Sequence, residues 1–232
     1  LNVLTIEDPV EYEIPGVSHS QVNPRAGLTF ELALRHFLRQ DPDVIMVGEI
    51  RDRETADTAL RAALTGHLIL STLHTNDAPS TVTRLVEMGI EPFLLGSSLQ
   101  AVLAQRLVRG LCPHCRRPYE PGEGVRAVFA AAGVMLPGDA VLYRPGGCPE
   151  CRGGYAGRHA VAELMLMNAD LRERITAGAS ASELGRRAVA AGMRTLRQAA
   201  LDLALAGVTS VEEVLRVTEV PGWEKGGKEA GP

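Results

Sequence analysis

Through the first half of the chain, short apolar runs that end in acids or histidines alternate with segments whose apolar residues recur every three or four positions. Residues 2–6 read as a strand and residues 15–25 as an irregular connection. Phe30, Leu34, Phe37 and Leu38 then fall at helical spacing within 28–39, and Asp41-Pro42 stops that helix, because the residue before proline is steered out of helical backbone. A second apolar strand covers 44–47. Ala56, Leu60, Ala63 and Leu64 mark a helix over 54–64 that Gly66 closes. The strand 68–73 leads to helices over 79–88, stopped at Gly89, and 93–108, stopped at Gly110. Such alternation predicts a parallel sheet covered by helices on both faces. Nearer the C-terminus, 168–177, 180–191, 195–206 and 210–217 begin with small or hydroxyl side chains and read as a helical subdomain, followed by a Gly-rich tail from Pro221.

What the strands deliver at their ends carries the chemistry, since open α/β sheets gather ligands at the carboxyl ends of their strands. The first strand runs into Glu7, Asp8 and Glu11. The second runs into Glu49, followed by Ile50-Arg51-Asp52, and the third is flanked by His67 and His74. Three acids within five residues repel one another, which is sensible beside a dication and wasteful otherwise. A single histidine beside an apolar run is more often a satisfied loop or core residue than a catalytic one. Arg51 either reaches phosphate or pairs with Asp52 or Glu54.

Composition narrows the classes. With a formal charge of −4 and 24 Lys and Arg scattered among 28 Asp and Glu, the chain offers no basic stripe for a nucleic acid. No apolar run approaches the roughly 18 residues that cross a bilayer, and no signal-peptide pattern opens the sequence.

All 4 cysteines fall into two knuckles, Cys112-Pro113-His114-Cys115 and Cys148-Pro149-Glu150-Cys151. Four thiolates from two tight turns make a closed tetrahedral shell for Zn²⁺, the arrangement of structural zinc. The disulfide and redox readings are weaker, because the chain reads as one from a reducing compartment and a single redox motif would not need a second pair. His114 has no vacancy to fill and is expected to face solvent.

In order, Leu4-Thr5-Ile6-Glu7-Asp8-Pro9-Val10-Glu11-Tyr12, the segment from Asp41 to Asp52, and the segment from Thr65 to Thr75 resemble the aspartate box, Walker B segment and histidine box of the secretion ATPases that drive type II secretion and type IV pilus assembly. The tetracysteine pattern resembles the assembly and secretion members rather than the retraction ones, and the resemblance continues through Gly157-Arg158 and 192–196 to 209–218. It implies a partial RecA-like, parallel-sheet P-loop NTPase core over 1–110, an inserted zinc module over 111–159, a helical C-terminal subdomain over 160–220 and a flexible tail over 221–232. It also implies that Glu7 is the catalytic base or water orienter, that Glu49 acts on Mg²⁺ or its waters, and that Asp8 and Glu11 support Mg²⁺. His74 is then the sensor of the ATP γ-phosphate, and His67 couples the site to a neighbouring subunit. Arg106 lies in a segment similar to one near the family's site. The implied assembly is a homo-hexamer in the cytoplasm, brought to the inner membrane by a platform protein, with ATP, Mg²⁺ and Zn²⁺ as ligands and no direct nucleic-acid partner.

One part of the pattern is missing. A phosphate loop requires Gly-x-x-x-x-Gly-Lys-Ser/Thr, whose amides, lysine and hydroxyl hold the phosphates and Mg²⁺. The lysines are Lys225 and Lys228, and the near match around Lys228 has Glu229 where the hydroxyl belongs. The chain is therefore expected to be a fragment of a longer protein and inactive alone. The competing expectation is a non-catalytic, zinc-containing protein-interaction module.

Overall fold

The computed structural model describes residues 1–218, so the tail expected over 221–232 and the near match at Lys228 lie outside the described residues. Two compact units emerge. The first comprises 1–102 and 165–193, and the second 103–164 with 194 onward. Neither is a continuous stretch of chain.

The first unit is built on a four-stranded parallel sheet. Strand β1 (Val3–Glu7) pairs with β2 (Ser18–Gln21) on one side and, across the helix α1 (Phe30–Phe37), with β3 (Val44–Val47) on the other. After α2 (Arg53–Leu64), β4 (Leu68–Ser71) completes the order β2-β1-β3-β4. Leu4, Ile6, Ile45 and Val47 are buried with Phe30, Ala33, Leu34 and Phe37 of α1 and Ala59 of α2. The helices start where short polar side chains can accept their free amides: Thr29 from Leu32 N at 3.2 Å, and Asp52 from Thr55 N at 2.7 Å. Helices α3 (Ala78–Glu87) and α4 (Pro92–Ser98) follow.

Three expectations are corrected here. The residues 15–25 are not wholly irregular, because Ser18–Gln21 forms β2; a strand of Ser, His, Ser and Gln has no apolar alternation to announce it, and main-chain pairing to β1 alone defines it. Helices do not cover both faces of the sheet among the described residues. The face opposite α1 carries Thr5, Glu7, Met46, Leu68 and Leu70, and the two leucines are half exposed at 52% and 50%. The helix expected over 93–108 ends at Ser98, and Ala101–Leu111 is a strand, β5. Leu103 and Leu107 suggest a helical stripe, yet both are exposed. The inward residues are Val102, Ala104 and Val108, at the period of two that a strand imposes.

In the second unit, β5 continues into the first cysteine knuckle. Then come β6 (Arg117–Tyr119), α5 (Glu123–Ala131), β7 (Leu142–Arg144) and the long β8 (Tyr155–Leu166), with β6 paired antiparallel to β7 and β8 paired to β5. The four C-terminal helices are present: α6 (Ala169–Thr176), α7 (Ala181–Ala190), α8 (Leu196–Leu205) and α9 (Val211–Val217), capped by Asn168, Ser180, Thr195 and Ser210. They do not stay together, since α6 and α7 belong to the first unit and α8 and α9 to the second. A buried carboxylate fastens α9 to β5. Glu213 of α9 accepts hydrogen bonds from the Arg109 backbone at 2.9 Å, from the Arg109 guanidinium at 3.0 and 2.7 Å, and from Arg216 at 2.7 and 2.6 Å.

No helix among the described residues is long and apolar enough to cross a membrane.

Candidate functional site

Register brings the acids together. Because β1 and β3 are adjacent and parallel with Ile6 opposite Val47, their carboxyl ends place Glu7 and Glu49 at one edge of the sheet. Gly48 makes the junction: its amide donates to Ile6 O at 2.8 Å, and a Cβ there would press within 3.2 Å of that oxygen and 3.3 Å of Glu7 Cα. The third strand is tied in beside them. Thr72 Oγ1 donates to Gly48 O at 2.7 Å, and Ile50 N to Thr72 O at 3.0 Å, which carries His74 to the same edge.

Arg51 is the charge at the centre of this edge. Its guanidinium bonds Glu49 Oε1 at 2.5 Å and reaches Asp8 Oδ2 at 3.4 Å, while His74 Nε2 lies 3.4 Å from the other Glu49 oxygen. Arg51 therefore pairs with Glu49 and Asp8, not with Asp52, which is spent as the cap of α2, or Glu54. The hydrogen bond from Arg51 is the main cause of a Glu49 carboxyl held below its usual pKa, against partial burial and with help from His74. His74 is itself almost fully exposed at 93%.

Glu7 has its own partners. Oε1 accepts from Thr5 Oγ1 at 2.6 Å and lies 2.8 Å from His19 Nδ1. Burial pushes this carboxyl upward, but the bonds from Thr5, His19 and the Glu11 backbone outweigh it and leave the pKa below the ordinary value. Sequence reasoning missed His19 and Thr5. The signal was the pairing itself, Thr5 opposite His19 in the parallel register, which no residue pattern discloses. Glu11 approaches Glu7 through its backbone, and its side chain is exposed.

His67 is not brought to this edge. It precedes β4 and bonds Thr65 and Ala62 O within its own turn, so the strand separates it from the carboxyl end by about 13 Å at a rise of about 3.3 Å per residue. Thr75 bonds Thr81 at 2.8 Å, a structural role.

In the second unit the four cysteine sulfurs all lie within 4.8 Å of one another. Individual separations are 3.8 Å for Cys112–Cys148, 3.7 Å for Cys115–Cys151 and 3.6 Å for Cys148–Cys151. A disulfide needs about 2.05 Å. A tetrahedron with metal–sulfur bonds of about 2.3 Å has edges of about 3.8 Å, so the spacing fits Zn²⁺. Burial, then hydrogen bonds from the other three cysteines, push the Cys115 thiol up to about 12, whereas the Cys148 backbone is the main cause of Cys151 falling to about 7. Four sulfurs so crowded form a donor set for a divalent cation, which they would bind as thiolates. Backbone turns shape the knuckles: Cys115 N and Arg116 N both donate to Cys112 O, at 3.4 and 3.0 Å. Gly146 is required, because any Cβ there would collide with Cys115 O. His114 faces solvent, 3.2 Å from Glu150, and stays outside the sulfur shell.

The chain has known relatives. A family model described as type II/IV secretion system protein matches residues 1–216. The chain belongs to that family. Among its relatives, the type IV pilus assembly ATPase PilB of Thermus thermophilus is 54% identical over 218 residues, covering 94% of this chain and 24% of the relative. The type II secretion system ATPase E of Vibrio cholerae is 52% identical over 223 residues, covering 94% and 43%. The chain thus spans less than half the length of these family members. Among solved structures, the pilus retraction motor PilT with bound ADP superposes with a TM-score of 0.66 at 29% identity, over 95% of this chain and 53% of that one. The ATPase DotB of Yersinia pseudotuberculosis, at 23% identity and a TM-score of 0.67 over 94% of this chain and 49% of its own, shares the fold. Both support the α/β core assigned to this family member.

Proposed function

We propose that this chain supplies the acid-bearing half of an ATP-hydrolysing site in a motor of type IV pilus assembly or type II secretion. The observation that carries the reading is the placement of Glu7 and Glu49 at one edge of a parallel sheet by the pairing of β1 with β3. Phosphoryl transfer asks a protein mainly to position a water and to offset charge on the γ-phosphoryl oxygens. Glu7 orients the attacking water and takes its proton. Glu49 and Asp8, hard oxygen donors that suit Mg²⁺, hold that ion or its waters, with Glu11 in support. Mg²⁺, when bound, would supply positive charge that offsets that of the phosphates. His74, exposed at this edge, contacts the γ-phosphate. Arg51 bonds Glu49 in the free site and is available to phosphate once a cation takes the carboxylates. His67, at the far end of β4, serves a neighbouring subunit of a homo-hexamer rather than the reacting atoms.

These 232 residues contain no Gly-Lys-Ser/Thr loop, so turnover belongs to a longer protein that carries one. Cys112, Cys115, Cys148 and Cys151 hold a structural Zn²⁺. The motor works in the cytoplasm at the inner membrane, through a platform protein of the pilus or secretion machine.

The test uses the protein extended through a phosphate loop. Glu49→Gln and Glu7→Gln are each expected to lower turnover by about 100-fold or more while ATP binding remains, the scale of a lost general base. Normal turnover in both variants would overturn the assignment and favour a zinc-containing interaction module.

A further inference from the structure

The hydrogen bonds around His19 define more than a contact. Ile14 N donates to His19 Nε2 at 3.1 Å, and a backbone amide can only donate. Nε2 therefore presents its lone pair, and the proton of the neutral ring sits on Nδ1. That proton points at Glu7 Oε1, 2.8 Å away. Thr5 Oγ1, 2.6 Å from the same oxygen and 3.1 Å from Nδ1, closes the triangle. Both side chains are largely buried, with His19 and Glu7 each 13% exposed, so the geometry is protected from competing water.

Two donors thus converge on Oε1, and Oε2 receives neither of them. A carboxylate so held has a fixed plane with Oε1 assigned to the scaffold, and the Glu11 backbone adds a further donor to the same carboxylate. The loop after Glu7 enters the same arrangement, since Ile14 also accepts from Val17 N at 3.1 Å and its amide fixes the ring.

We propose that His19 is a positioning residue for Glu7: held as the Nδ1-protonated tautomer by the Ile14 amide, it clamps Glu7 Oε1 and aims Oε2 at the attacking water. The proposal rests on the reading of Glu7 as the base. His19 itself does not touch the reacting atoms, and it transfers no proton in the cycle.

Two measurements test it. In nitrogen NMR of the isotope-labelled chain at neutral pH, His19 should show a protonated Nδ1 and a bare Nε2, the less common neutral form. Glu7→Ala should leave the ring Nδ1-protonated, because the Ile14 amide still donates to Nε2, while shifting the Nδ1 resonance as its carboxylate partner is lost. An Nε2-protonated ring in the unmodified chain overturns the proposal without reference to catalysis. In the extended protein, His19→Ala should lower kcat by about 10-fold or more with the KM for ATP unchanged, the effect of misaiming a catalytic group. His19→Asn, whose amide nitrogen takes the place of Nδ1, should restore most of that loss, which a purely structural role would not produce. If Glu7→Gln abolishes turnover but His19→Ala does not reduce it, the positioning role alone falls. If Glu7→Gln turns over normally, base and positioning residue fall together.

Discussion

Glu213 gives the sharpest test of the second unit. Its side chain is fully buried, and its two oxygens receive five hydrogen bonds from Arg109 and Arg216, joining β5 to α9. Burial alone would push this carboxyl upward; the bonds from Arg216 and Arg109 reverse that and bring it from 4.5 down to about 2. At about 1.4 kcal/mol per pH unit, the difference corresponds to about 3 kcal/mol of stabilisation. Mutational breaking of buried pairs gives a similar scale, about 3 to 5 kcal/mol. Glu213→Gln keeps the shape, removes the charge and turns an amide N–H toward a guanidinium, so it should lose about 3 kcal/mol at neutral pH. Because the folded pKa is the depressed one, the stabilisation is complete above about 4.5 and is lost as the pH falls through about 2. Denaturant unfolding of both metal-free proteins, followed by the signals of Tyr119, Tyr143 and Tyr155 in this unit, measures the gap at neutral pH and again near pH 2.5. A gap below about 1 kcal/mol at neutral pH, or one that stays constant down to acid, would refute the linkage argument.

Other outcomes follow from the same geometry. Metal analysis should find about one zinc per chain, and none after Cys112 and Cys148 are both replaced by Ser. A strong chelator should lower the melting temperature of the second unit, read by the same tyrosine signals. Gly146→Ala forces a methyl onto Cys115 O and should weaken zinc retention in a chelator competition, whereas Gly147→Ala, with open space around its Cβ position, should not. Leu34→Ala removes a fully buried side chain between α1 and the sheet and should destabilise the first unit by about 2 to 5 kcal/mol in urea titration.

How far the sequence disclosed this molecule depends on which interactions define each part. The helices 168–177, 180–191, 195–206 and 210–217 were legible because capping is local: Asn168, Ser180, Thr195 and Ser210 bond amides three residues on. The cysteine cluster was legible because only one chemistry needs two knuckles. Strand β5 was not, since Leu103 and Leu107 imitate a helical stripe and its true partner, β8, begins more than forty residues later. The acids Glu7 and Glu49 could be picked out by their place after apolar strands, but their common edge depends on parallel pairing. The same pairing hid His19, which stands on a strand without an apolar residue.

The interleaved arrangement of the two units sets a timetable for synthesis. Helix α4 carries Leu95, fully buried, and the carbonyl of Gly96 receives the Arg172 guanidinium at 2.7 Å from 76 residues further along the chain. At a ribosomal rate of about 5 to 20 residues per second, α4 waits roughly 4 to 15 seconds for α6 to be made. Throughout that interval α4 lacks its α6 partner, and the cysteine knuckles of the other unit emerge in between. The nascent chain must keep Leu94 and Leu95 from finding a wrong apolar neighbour, so a trailing chaperone or a pause after Met165 would affect yield far more than a change of codon speed within the first four strands.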